Sequence, residues 1–238
     1  MKRQPAFTLI ELLVVIAIIG MLLAVIAPSL EKARRQAKAA ICLSNLSQVG
    51  LAAKLYAEDH DDYIPRGAAG NNSPLWFVQF LPYVGHRAAE TDYRHVKIYR
   101  CPAWPMSGEG LYGIPNSRQT VCFVINAWTF RDRNDATGTE IREPTKHGTF
   151  RVPVATAYLA DNEAGPWRAI IEDEHSRELP RCDVFASSHL PTSESQDITY
   201  GRRIARRRHR DGCNVLFLDW HAEYVPAETM TIRMWRDR

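Results

Sequence analysis

Phe7-Thr-Leu-Ile-Glu11-Leu-Leu-Val-Val-Ile16-Ala-Ile-Ile-Gly-Met21-Leu-Leu-Ala-Val-Ile-Ala27 is the stretch from which the rest of the chain is read. Its only polar side chains are Thr8 and Glu11. As a helix rising about 1.5 Å per residue it is ~31 Å long, the thickness of a bilayer's hydrocarbon core. Before it lies a short basic leader, Met1-Lys-Arg-Gln-Pro-Ala6, and directly after it comes Pro28. A carboxylate at the head of a membrane-length helix is costly in lipid and marks a functional position. Glu11 is therefore the residue of this span that requires an explanation.

Three readings compete for the segment. A secretory signal peptide has a shorter apolar core followed by a small-residue cleavage site. Ala24-Val-Ile-Ala27 fits such a site poorly, and Pro28 obstructs cleavage after it. A plain transmembrane anchor explains the apolar run but not Glu11. The third reading rests on Ala6-Phe7-Thr8-Leu9-Ile10-Glu11-Leu12-Leu13-Val14-Val15-Ile16, which resembles the cleavage and methylation motif of type IV pilins and type II secretion pseudopilins. The resemblance implies that prepilin peptidase cuts between Ala6 and Phe7 and that Phe7 is N-methylated. Glu11 then becomes the fifth residue of the mature chain. One departure is local: the family has Gly before the Phe, where this chain has Ala6.

Electrostatics gives Glu11 a role in the same direction. The free amine of a mature Phe7 can pair with the Glu11 carboxylate of a neighbouring subunit. In low dielectric an unpaired partner keeps a large desolvation cost, so such a pair fixes the axial register between subunits. The bland alternative is a lone Glu reaching to the headgroups.

Charge sets topology less cleanly. The leader carries Lys2 and Arg3, whereas the far flank carries Lys32, Arg34, Arg35 and Lys38. Counting cations alone favours a cytoplasmic far flank. The prepilin resemblance implies the opposite: N-terminus in the cytoplasm, a single pass through the cytoplasmic membrane, and an extracytoplasmic domain. Net charge is +3, falling to +1 once Lys2 and Arg3 are removed with the leader, so no global argument for nucleic acid follows.

Beyond Pro28, which is expected to kink the rod, helical spacing continues through Ala33, Ala37, Ala40, Ile41, Leu46, Val49, Ala53 and Tyr56. The helix is expected to end near Ala57, before Asp59-His-Asp-Asp62 and Pro65. The stretch Cys42-Leu-Ser-Asn-Leu46-Ser-Gln48 through Tyr56-Ala-Glu-Asp59 resembles a second signature, that of large pilin-like proteins with a C-terminal H-X9-DG motif. The far end agrees: His209, Gly212, Asn214, Phe217, Asp219 and His221 match that motif, and Trp220 departs from its Gly. A Gly there supplies a positive backbone angle in a hairpin. Trp is strained in that conformation, so the turn is expected to be of another type. Val215–Leu218 and Ala222–Val225 read as its two paired strands.

The expected fold is α+β and pilin-like: a long N-terminal helix, transmembrane in its first half, packed on a C-terminal antiparallel β-sheet domain with long loops. The divisions are leader 1–6, span 7–27, helical spine 28–58 and globular domain 59–238; the part outside lipid is large enough for one core. Within the domain, Val121–Ile125 and Thr156–Ala160 read as strands and Trp76–Leu81 as a short amphipathic helix. Residues 107–119, 131–149 and 173–199 read as loops.

Few residues suggest chemistry. His209, Asp211, Asp219 and His221 can meet around a metal if the hairpin gathers them; a polar network holding a turn is the favoured reading. Asp59, Asp61 and Asp62 lack calcium-loop spacing. No nucleophile elbow or phosphate loop is present, so no enzyme activity, cofactor or metal is expected. Arg202, Arg203, Arg206, Arg207, Arg208 and Arg210 form a run without an acid. Such a run suits polyanions, a partner subunit's Asp59–Asp62, or plain solvent exposure. The five cysteines, Cys42, Cys101, Cys122, Cys182 and Cys213, include no C-x-x-C pair. Outside the cytoplasm one or two disulfides are expected, with Cys101–Cys122 and Cys182–Cys213 as candidates and five buried thiols as the alternative.

The resulting expectation is a structural subunit of a type II secretion pseudopilus or type IV pilus-like fibre. Its partners are prepilin peptidase, the membrane and other pilin-like subunits in a homo- or hetero-polymer; nucleic acid is not expected. The rivals are a monomeric membrane-anchored binding protein and a DNA-binding minor pilin using the arginine run.

Overall fold

A single helix, α1, runs from Leu9 to Asp59 and changes surroundings halfway along. The computed structural model describes residues 8–67, 75–85, 92–110, 113–164, 171, 182–191 and 201–237. The leader, Ala6 and Phe7 therefore lie outside the described residues, as does most of the 173–199 segment. At its 51 residues, α1 is ~76 Å long. It continues through Pro28 and ends two residues beyond the expected Ala57. Up to Lys38 it is exposed throughout. From Cys42 onward it buries Leu46, Val49, Gly50, Ala52, Ala53, Tyr56 and Ala57. The expected small-residue stripe is thus only half used: Ala33, Ala37, Ala40 and Ile41 remain exposed, and the packed face begins at Cys42. None of the described residues of the domain covers them.

Among the described residues the domain has nine strands: β1 (Tyr63–Ile64), β2 (Phe123–Asn126), β3 (Trp128–Thr129), β4 (Thr139–Glu140), β5 (Thr145–Lys146), β6 (Ala157–Asp161), β7 (Asp183–Val184), β8 (Gly212–Phe217) and β9 (Ala222–Pro226). The main sheet has the order β7-β2-β6-β8-β9. It is antiparallel except at one edge, where β7 runs parallel to β2. β1–β5 and β3–β4 form two small ribbons, so the 131–149 segment holds short strands where the sequence pattern suggests only loop. The expected amphipathic helix is α2, Trp76–Gln79, which buries Trp76 and Phe77.

α1 packs across β8, β9 and the turn Lys97–Tyr99. Gly50 permits this approach: a Cβ there would lie 2.6 Å from Leu216 Cδ1 and 3.0 Å from the Trp220 carbonyl oxygen. At the opposite end of β8, a Cβ on Gly212 would meet the Val225 carbonyl oxygen at 2.2 Å, so the first residue of that strand has to be glycine. The C-terminal segment is tied down by Asp237, which accepts from the Phe130 amide at 3.0 Å and faces the buried Arg66 guanidinium at 3.9 Å.

Candidate functional site

The membrane half of α1 begins with a capping device. Thr8 is the N-cap, and Thr8-x-x-Glu11 is a capping box. The Thr8 amide and hydroxyl donate to Glu11 Oε2 at 2.8 and 2.7 Å, and the Glu11 amide donates to Thr8 Oγ1 at 3.3 Å. Both bonds onto the carboxylate use Oε2. The sequence carries the signal as a Thr three residues before a Glu, a pattern that the membrane-span reading of Glu11 misses. Above this cap, Leu9, Ile10, Leu12, Leu13 and the other large aliphatic side chains through Ile26 are exposed.

The two ends of the H-X9-DG-like signature lie at opposite ends of β8. Asp219 and His221 sit at the hairpin tip, paired with each other, and the His221 ring stacks on Phe217 at 4.6 Å. The turn is of another type than the two-residue one, as expected, but Trp220 does not escape the positive angle. The Phe217 carbonyl accepts from the Trp220 amide at 3.0 Å, the Phe217 amide donates to the His221 carbonyl at 2.9 Å, and Trp220 itself has φ +74°. This is a three-residue loop whose last residue is left-handed, a place that usually takes Gly. The indole compensates: it stacks on His147 at 4.7 Å and meets Tyr158 edge-on at 6.0 Å.

His209 lies in the core. Its Nε2 is 3.4 Å from Asp161 Oδ2 and 3.4 Å from Cys101 Sγ. Cys42 Sγ donates to Asp161 Oδ1 at 3.3 Å, and the Asn214 amide donates to Asp161 Oδ2 at 2.8 Å. The Asn214 side chain reaches the Ala39 carbonyl of α1 at 3.4 Å. All four of Cys42, Cys101, Asp161 and His209 are nearly solvent-free, at 0, 3, 0 and 4% exposure. The hydrogen bond with Cys101, and then burial, push the Cys42 thiol far up. Burial also pushes Cys101 up, but its bonds to Cys42 and His209 and the nearby Arg208 charge outweigh it and hold the thiol at about 7. For His209, burial opposes the charged form, yet Asp161 and Cys101 raise it to about 9.

The constellation expected around the hairpin does not assemble. Asp211 accepts from Tyr224, Asp219 pairs with His221 at the tip, and His209 faces the core. The five cysteines are all buried, and neither expected pair, Cys101–Cys122 or Cys182–Cys213, forms a disulfide; Cys101 instead faces Cys42 and His209. The arginine run is not a free cationic strip. Arg202 pairs with Glu163 at 2.8 Å, and Arg203 donates to the Asp183 carbonyl at 2.7 Å. Arg206 donates to the Pro191 carbonyl at 2.5 Å, and Arg208 to the Asn162 carbonyl at 2.6 Å. Arg207 and Arg210 border a cleft beside Lys32, Arg35 and Lys38 of α1. In the acidic cluster, Asp59 accepts from Tyr83 at 2.9 Å and Asp62 from the Gly148 amide at 2.7 Å.

Residues 1–27 match the family model described as the prokaryotic N-terminal methylation motif. The Type IV wide pilus major component PilA4 of Thermus thermophilus is 39% identical over 69 residues, covering 29% of this chain and 53% of that protein. The chain thus carries a prepilin-type N-terminal motif and resembles a type IV pilin over its N-terminal part. The pilin-like chain spans about half the length of the curated relative it matches, and no solved structure matches it. Its apolar helix and prepilin motif fit a single-pass, membrane-anchored protein. The helix cap at Thr8 stands two residues after Ala6, at the head of the matched motif.

Proposed function

We propose that this chain is a fibre subunit, processed by prepilin peptidase at Ala6–Phe7, N-methylated on Phe7, and assembled through α1 into a type IV pilus-like fibre or a type II secretion pseudopilus. The observation that carries the reading is the half of α1 from Leu9 to Lys38, exposed throughout and covered by nothing among the described residues of its own domain. Lipid covers such a face before assembly, and the helices of neighbouring subunits cover it afterwards. The work is mechanical: extraction from the bilayer, axial register, and display of the globular domain outside the cytoplasmic membrane.

Glu11 sets the register. Its Oε2 holds its own helix cap, leaving Oε1 to accept from the Phe7 amine of a neighbouring subunit. The cap keeps the carboxylate fixed before the neighbour arrives, which lowers the ordering cost of the pair. The mass of the mature N-terminal peptide tests the processing step. A methylated Phe7 is the expected result; an intact Met1, or cleavage near Ala27, overturns it. Glu11→Val is expected to abolish incorporation into fibres while the protein still accumulates in the membrane. Undiminished assembly of that variant would overturn the register role, and absence of the wild-type protein from fibres would favour a monomeric anchored binding protein.

A further inference from the structure

From the convergence of Cys42, Cys101, Asp161 and His209 we infer that the core of this protein holds a structural zinc ion, which joins the spine helix to the sheet. The four residues come from four separate places: Cys42 from α1, Cys101 after the turn Lys97–Tyr99, Asp161 from the end of β6, and His209 just before β8. One ligand atom of each lies within 4.8 Å of all the others.

The spacing suits a tetrahedron. Zinc–sulfur bonds of about 2.3 Å and zinc–nitrogen or –oxygen bonds of about 2.0 Å put ligand atoms ~3.3–3.8 Å apart. The observed separations are 3.3 Å for Cys42 Sγ to Asp161 Oδ1, 3.4 Å for Cys101 Sγ to His209 Nε2, and 3.4 Å for His209 Nε2 to the other carboxylate oxygen, Asp161 Oδ2, so a set with one oxygen, its atoms within 4.8 Å of one another, closes on a metal by a small contraction and a turn of the carboxylate. Two thiolates and an imidazole favour zinc over the oxygen-seeking cations. Burial of all four residues matches a closed structural site rather than a catalytic one with an open position.

Charge also balances. Two thiolates and a carboxylate carry three negative charges, and zinc supplies two positive ones. The Arg208 guanidinium acts on Cys101 as a nearby positive charge and is held over the Trp104 ring at 4.4 Å. On metal binding the two thiols and the His209 imidazolium release their protons, so that Asp161 binds as the carboxylate and His209 as the neutral imidazole. Outer contacts are present too: the Asn214 amide orients Asp161, and its side chain bridges to α1. A Cys42–Cys101 disulfide is the competing use of the two sulfurs. It would remove the thiol that donates to Asp161 Oδ1 and leave that buried carboxylate oxygen without it, whereas a metal engages all four groups.

The test uses the full-length protein in detergent, purified under reductant without chelator. Equimolar zinc by elemental analysis is expected, and replacement by Co2+ should give a thiolate-to-cobalt charge-transfer band with the intense visible absorption of a tetrahedral site. Cys42→Ser and His209→Asn should lose the metal, while Asp219→Asn at the hairpin tip should retain it. Because core variants can misfold, the wild-type cobalt spectrum decides separately. No zinc, no uptake of added Zn2+ or Co2+, a cobalt spectrum without the thiolate band, or a Cys42–Cys101 disulfide in peptide maps would each overturn the assignment.

Discussion

The two halves of α1 obey different rules although nothing interrupts the helix between them. From Leu9 to Lys38 every residue is exposed, and large aliphatic side chains of the membrane half occur all around the helix. From Cys42 to Asp59 one stripe is buried and the opposite face, Leu51 and Leu55 among it, stays open. A helix apolar on all sides takes its partner from its surroundings, lipid or like helices. A striped helix takes its partner from its own chain. The first half is therefore free to change partners without unfolding the domain, and the second half cannot.

Matched substitutions test that difference. Leu46→Ala is expected to cost about 2–5 kcal/mol of domain stability in chemical denaturation, because it opens a cavity in a fully buried site. Leu13→Ala, at an exposed position, should change it by less than about 0.5 kcal/mol. Equal effects would break the contrast. Gly50→Val should destabilise by about 1–3 kcal/mol, since its Cβ would run into Leu216 and the Trp220 carbonyl. Gly20→Val has nothing within 4 Å to meet and should leave the domain's melting unchanged.

Trp220→Gly sharpens the boundary on the sheet side. It relieves a left-handed backbone but loses stacking on His147 and Tyr158. The expected net is a loss of about 1 kcal/mol, and a gain would mean that the indole contributes little. The smallest effect belongs to a loop remote from both halves. Asp135 accepts from the amides of Arg131 and Gly138, and these bonds, the Arg131 one first, hold its carboxyl down at about 2. Because the folded value lies below the unfolded one of about 3.9, its contribution is present above that pH and fades as pH falls toward 2. Faster amide exchange at Gly138 in acid, with the α1 amides still protected, is the expected signature.

Legibility in the sequence follows distance along the chain. The apolar span, the long helix and the β8–β9 hairpin are readable because each is specified by residues within about twenty positions of one another, where periodicity and spacing act. The strands at 123–126 and 157–161 are readable from β-branched and aromatic runs. The left-handed Trp220 is not, because its compensation comes from His147 and Tyr158, more than sixty positions away. The arginine run looks like a free polycation because its acceptors, the Asn162, Asp183 and Pro191 carbonyls, are backbone atoms that no pattern of side chains announces.

The buried quartet is the plainest case. Cys42 and His209 each belong to one of the two family-like signatures, so the sequence hints that the signatures meet. Nothing local indicates that Cys101 and Asp161 complete the set. The sequence alone determined that this chain carries an apolar span of membrane length and which residue stands at its head, because fitness for lipid depends on composition and length. Only the tertiary structure decided that one half of α1 is uncovered and that four residues spread from 42 to 209 share one solvent-free point. Contacts across such separations depend on how the sheet and helix pack together, which no single stretch of the sequence encodes.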